Sequence, residues 1–192
     1  LLDTPGYFDF VGEVEEAVSA ADAAIIVVNC KAGIEVGTEK AWDLCEEYKL
    51  PRIIFVTNMD DDHASFRELI LKLEKKFGRK IAPFQVPIRE NEKFVGFVNA
   101  VKMQGRRFTN LSDYEDCEIP EYTKKNLGII RDALIEAVAE TSEEYMERYF
   151  SGEEFTPEEV IVGVSQGVKS GTISPVFCGD AMLMRGMEQF MD

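Results

Sequence analysis

The chain has 192 residues, with 36 acidic against 21 basic side chains, a net charge of −15 and an apolar share of 45%. Its longest apolar run, Ala23-Ala24-Ile25-Ile26-Val27-Val28, is far short of the roughly 20 residues that span a bilayer, so the composition predicts a globular chain with no membrane segment and no secretory leader. The acidic excess argues against this chain wrapping a nucleic-acid backbone by itself, because such binding is driven by Lys and Arg displacing counterions.

In chain order, Leu1-Leu2-Asp3 reads as the end of a buried strand. Phe10, Val11, Val14, Ala17 and Val18 then fall on one helical stripe within residues 9–20, and the run from Ala23 to Val28 predicts a strand buried on both faces. Thr38 is the expected cap of a helix through Trp42, Cys45 and Tyr48 that ends before Pro51. A second buried strand is predicted over Arg52-Ile53-Ile54-Phe55-Val56-Thr57. A third helix carries Phe66, Leu69, Ile70, Leu73 and Phe77 on one face and stops at Gly78. Alternating strands and helices predict an α/β fold with a parallel sheet covered on both faces.

After Gly78 the texture changes. Short Pro- or Gly-marked runs at Pro83-Phe84-Gln85-Val86-Pro87-Ile88 and from Phe94 to Val101 predict antiparallel strands in an inserted α+β subdomain. It continues through a turn-rich segment over 109–119, one long helix over about 121–149, and a helix capped by Thr156 with Pro157 in its first turn. Residues 113–159 hold 15 acids and 4 bases, a net of −11. A buried strand from Ile173 to Phe177 then rejoins the parent sheet. The boundaries expected are 1–82 for the parent core, 83–170 for the insertion and 171–192 for the return.

Cys30, Cys45, Cys117 and Cys178 form no Cys-x-x-Cys pair and, with the lone His63, make no zinc site; they read as reduced core thiols of a cytoplasmic protein. His63 and the Asp60-Asp61-Asp62 run suit a solvated helix start, where acids are favoured by the helix dipole. Phe94, Phe97 and Phe108 read as core rather than as a base-stacking platform.

Three loops carry the chemistry. Asp3-Thr4-Pro5-Gly6 is expected after a strand end, where Asp can hold magnesium through water and Gly lets a backbone N–H approach a terminal phosphate. Thr57-Asn58-Met59-Asp60 follows the next-but-one strand, and its terminal carboxylate can accept from both the ring N–H and the amino group of guanine, a donor pair that adenine lacks. Cys178-Gly179-Asp180-Ala181 follows the last strand, where a small-residue loop would back the base.

With these motifs the sequence resembles translational GTPases, and within them the elongation factor G family. The resemblance extends over Leu2-Asp3-Thr4-Pro5-Gly6-x-x-Asp9-Phe10, Pro51-Arg52-Ile53, Val101-Lys102-Met103, Tyr149-x-x-Gly152-Glu153-Glu154 and Pro175-Val176-Phe177. It implies a P-loop GTPase fold, GTP or GDP with Mg2+ as ligands, and a ribosomal partner. That partner would present ribosomal RNA near the second switch and a stalk protein near the insertion. No Gly-x-x-x-x-Gly-Lys-Ser/Thr occurs here, so the resemblance implies an internal piece of a GTP-binding domain that lacks the phosphate-loop segment. Three positions depart from the family pattern. Tyr7 stands where the family uses a catalytic His, Asn58 replaces the Lys that covers the base, and Asp180 replaces a Ser, placing a second carboxylate near Asp60. Together they imply a divergent paralogue.

Two functions are open at this point. One is part of a GTPase that couples hydrolysis to movement on the ribosome, the 192 residues alone being inactive. The other is a GTPase-like binding module with lost or weak turnover, or a ribosomal protection protein.

Overall fold

The computed structural model describes residues 1–61, 63–110 and 113–191. Helix α1 (Val11–Ala20), entered through a 3-10 turn, leads into β1 (Ala24–Asn29), α2 (Val36–Glu47), β2 (Arg52–Thr57) and α3 (Phe66–Phe77). Strand β3 (Ile81–Pro83) and the much later β8 (Ser174–Cys178) complete a parallel sheet in the order β1-β2-β8-β3. Apolar residues on alternate strand positions make its core: Ile26, Val28, Ile54, Val56 and Val176 pack with Leu69, Ile70 and Leu73 of α3.

Between β3 and β8 lie four antiparallel strands, β4 (Gln85–Glu90), β5 (Lys93–Asn99), β6 (Gln104–Phe108) and β7 (Tyr114–Cys117), in sequential order. They are followed by α4 (Glu121–Ala139), α5 (Glu143–Ser151) and α6 (Pro157–Ser170); a short α7 (Met187–Met191) comes after β8. The two sheets are welded. Phe84 N–H donates to Val176 O at 3.0 Å, and the buried Gln85 Oε1 accepts from Cys178 N–H at 3.0 Å. Phe94 and Phe97 of β5 are buried in the same core as the parallel sheet, with Phe108 edge-to-face on Phe94.

Several expectations are corrected. Strand β1 is buried on one face only: Ile25 and Val27 are 44% and 61% exposed, because no described element covers the face they point to. Leu1 and Leu2 are exposed and outside any strand. Thr38 is not the cap of α2 but its third residue, accepting from Glu35 N–H at 3.3 Å, so the helix begins two residues before it. The long helix is two, since Ser142 caps α5 through Tyr145 N–H while Thr141 Oγ1 bonds back to Val138 O. Part of the turn-rich segment is the charged edge strand β7, paired with β6 so that Asp116 faces Arg106 and Glu115 faces Arg107. Leu111 and Ser112 lie outside the described residues. The Thr156 cap holds, with a reciprocal box to Glu159.

Candidate functional site

The carboxyl ends of β1, β2 and β8 present adjacent loops, the position at which open parallel sheets bind ligands. At the end of β1, Asn29 Oδ1 accepts from Lys31 N–H and Ala32 N–H at 2.9 and 3.0 Å, and Asn29 Nδ2 donates to Asn58 Oδ1 at 3.1 Å. Thr57 closes β2, its carbonyl accepting from Cys30 N–H. Asn58 has φ of +59°, a left-handed conformation that Asn tolerates better than most residues. Its side chain is therefore held against Asn29 rather than extended over a ligand. The Met59 side chain is fully buried in the core, which leaves its backbone alone for any ligand.

Asp60 meets two internal donors. Phe94 N–H donates to Oδ1 at 2.7 Å, and Arg185 Nη1 donates to Oδ2 at 3.2 Å. Asp61 pairs with Lys31 at 3.2 Å; the His63 backbone N–H and then Lys31 hold its carboxyl below the usual carboxylate range. Asp62 lies outside the described residues. Helix α3 starts at Phe66 under a Ser65 cap, so Asp60, Asp61 and His63 sit in the preceding turn, not in the helix's first turn.

The third loop is compact. Cys178 is buried beneath it, its thiol pushed up by burial. Gly179 N–H donates to Val56 O at 2.9 Å, and a Cβ on Gly179 would lie 2.6 Å from the Phe55 ring and 2.7 Å from Arg185 O, so only glycine fits. Asp180 and Arg185 pair in a single antiparallel bridge. The buried Asp180 turns its Oδ1 inward to accept from Leu183 N–H at 3.0 Å. The second carboxylate expected beside Asp60 is thus spent on its own loop, and a cation stands at Asp60 instead. Ala181 is exposed at the loop's outer side.

Asp3, Thr4, Pro5, Gly6 and Tyr7 line a separate open cavity of about 1010 Å³, bounded by Ile25, Val27 and Thr38. Its described lining includes none of residues 57–60 or 178–181. The Tyr7 side chain is 78% exposed, so it packs into no core, and its carbonyl accepts from Phe10 N–H. Among the described residues no group of three His, Cys, Asp or Glu side chains is placed to hold a metal ion.

Arg185 and Phe94 are the site residues that sequence reasoning misses. They lie 125 and 34 positions from Asp60, and a lone Arg in a Met-rich loop gives no periodic or motif signal. Among the described residues all four cysteines are free thiols, and no helix is long and apolar enough to cross a membrane.

Comparison with known proteins gives this geometry a context. The sequence profile of the elongation factor Tu GTP binding domain matches residues 1–192. An elongation factor G-like protein of Thermotoga maritima is 35% identical over all 192 residues, which span 27% of its length. A crystal structure of a Thermus thermophilus protein superposes on the whole chain with a TM-score of 0.91 at 34% identity, again spanning 28% of that chain. The chain therefore covers little more than a quarter of the relatives it matches. Its parallel sheet with helices and its antiparallel subdomain are those of the P-loop GTPase fold of translation factors, and the chain belongs to the elongation factor Tu GTP-binding domain family.

Proposed function

We propose that this chain supplies the guanine-reading half of the GTP-binding domain of an elongation factor G-like GTPase, and that the intact protein couples GTP hydrolysis to movement on the ribosome. The observation that carries the reading is the convergence of Asp60 and the 178–181 loop at the ends of the neighbouring strands β2 and β8. Guanine fits there. The Asp60 side chain remains 24% exposed, and the Gly179 backbone lies where a side chain would collide.

Asp3 is the residue that would hold Mg2+ through water, and one exposed carboxylate suits an ion that keeps most of its waters and takes phosphate oxygens. Magnesium supplies charge stabilisation to the transferring phosphoryl group. In this reading Gly6 offers its backbone N–H to the terminal phosphate and Tyr7 orients the attacking water. The open cavity beside residues 3–7 and the bare face of β1 are where a phosphate-binding segment of a longer protein would pack. The 192 residues alone therefore neither hold GTP tightly nor hydrolyse it, because base contacts leave the phosphates unmatched. The parent core, insertion and return are assigned to residues 1–82, 83–170 and 171–192.

The acidic helices α4 to α6 are proposed to meet the ribosomal stalk protein, with Phe150, 79% exposed, on the surface they offer. Substituting the exposed Glu147→Lys and Phe150→Ala on α5, which leaves the shared core intact, should then lower ribosome-stimulated turnover; unchanged turnover would refute the contact. The protein's place of work is the cytoplasm.

A second reading, a binding module with weak turnover, is favoured by the tie of Asn58 to Asn29, which leaves the base without a covering Lys stem. Calorimetry on the intact protein with GTP, GDP and ATP decides. Micromolar or tighter binding of both guanine nucleotides, weak ATP binding and ribosome-stimulated phosphate release support the GTPase. Guanine binding without stimulated release supports the module, and binding that does not prefer guanine over adenine removes both.

A further inference from the structure

Asp60 is the meeting point of three segments far apart in the chain. Phe94 N–H donates to its Oδ1 at 2.7 Å and Arg185 Nη1 to its Oδ2 at 3.2 Å. The same Arg185 Nη1 donates to Phe94 O at 2.7 Å, which closes a ring through the loop after β2, strand β5 and the loop after β8. Phe94 cannot drift. Its side chain is fully buried against the main core, and the β4–β5 register shifts between Ile88 and Arg89 so that Arg89 pairs with Phe94 while Ile88 pairs with Gly96. A bulge of this kind re-aims backbone groups, and here it coincides with a Phe94 N–H aimed at Asp60. Arg185 is fixed in turn by the two backbone bonds that join it to Asp180, Asp180 N–H to Arg185 O at 2.8 Å and Arg185 N–H to Asp180 O at 3.0 Å.

An ionised carboxylate has about four lone-pair positions, two on each oxygen. Internal donors take one on each oxygen of Asp60. One on each remains, which is what the ring N–H and exocyclic amino group of guanine require together. The side chains of Asp60 and Arg185 are 24% and 28% exposed, so the carboxylate is anchored from behind without being covered. The terminal torsion of an Asp side chain is otherwise broad, and fixing it in advance removes a cost that the ligand would have to meet.

Building on the guanine-binding reading, we infer that Arg185 is a positioning residue for base specificity: with the Phe94 backbone it sets the plane of the Asp60 carboxylate, making the inserted antiparallel sheet a structural part of base recognition. Arg185 need not touch the nucleotide. Both bonds leave one nitrogen, Nη1, whose two hydrogens bridge Asp60 and Phe94 O, and the planar guanidinium fixes their directions where a Lys ammonium rotates freely.

The test uses the intact protein and titrates GDP, IDP and ADP into wild type, Arg185→Ala, Arg185→Gln and Arg185→Lys. IDP lacks the exocyclic amino donor and reports the second hydrogen bond to Asp60. Arg185→Ala is expected to weaken GDP binding by about tenfold and to narrow the preference of GDP over IDP, with Arg185→Lys recovering part of both. Arg185→Gln, which keeps a neutral but shorter donor and much of the aliphatic stem, reads the same ratio if the alanine variant fails to fold. Equal loss of GDP and IDP would mark Arg185 as merely structural and overturn the inference. So would a gain in GDP affinity, which would mean that Arg185 competes with the base. If wild type itself does not prefer GDP to ADP, the guanine-binding reading falls first. If it does and the variants keep its GDP-to-IDP ratio, only the positioning role falls.

Discussion

At the ends of β2 and β8 the side chains of Asn58, Asp60 and Asp180 and the Gly179 N–H are each tied to another group of the chain, whereas beside β1 residues 3–7 and the exposed Ile25 and Val27 stand open to an uncovered cavity. The proposed base-reading side is assembled from segments this chain contains, and tight packing leaves it little freedom. The proposed phosphate side, residues 3–7, lines an open cavity with nothing among the described residues to press it into shape. In the proposed function, specificity and turnover would be carried by regions of different rigidity, and they should respond differently to substitution.

The largest expected effect lies on the packed face of β1. Ile26→Ala removes a buried side chain from the main core and should cost about 2–5 kcal/mol in chemical denaturation. A cost below about 1 kcal/mol would mean that both faces of β1 are loose and would erase the contrast. The next effect is kinetic. If Tyr7 stands in for a His that orients water, Tyr7→His in the intact protein should raise ribosome-stimulated turnover by about tenfold to a hundredfold with GTP affinity unchanged. Tyr7→Phe should lower it, and equal rates for all three would show that the open side does not serve the chemistry.

A smaller effect separates the acidic helices from both regions. Glu159 is held at a pKa of about 2, against 4.5 for an unperturbed group, first by its hydrogen bonds with Arg148 and then by Thr156 N–H. A depressed carboxyl stabilises the fold above its unfolded pKa and loses that contribution as pH falls through the folded value. Stability should therefore drop between about pH 4.5 and 2, and Glu159→Gln should flatten that part of the profile. An unchanged profile would assign the acid sensitivity elsewhere.

The smallest effect sharpens the comparison most. Ile25→Ser and Val27→Ser alter exposed side chains, so in the 192-residue chain each should change stability by less than about 0.5 kcal/mol. In the intact protein the same changes should cost more than about 1 kcal/mol if a phosphate-binding segment covers that face. Equal effects in both would mean that nothing packs there.

Much of the parallel core is legible in the sequence because its signals are local. β2 runs over the six residues predicted for it, and α3 presents the predicted apolar stripe, since periodicity alone reports which positions face a core. The split of α4 from α5 was also written locally, in the Ser142 cap, which the single helix expected over about 121–149 passed over. Strand β7 gave no such signal, because Glu115 and Asp116 are strand residues only by virtue of Arg107 and Arg106 across from them.

What the sequence by itself determined is therefore the fold class, the order of the three loops and the residue types that each loop carries. Chain order and side-chain chemistry suffice for those. Only the tertiary structure decided which face of β1 is bare, that Asp180 bonds within its own turn, and that Asp60 is gripped by Phe94 and Arg185. Hydrogen bonds and ion pairs depend on distances of a few ångströms between residues far apart in the chain, and such distances exist only after two sheets have docked.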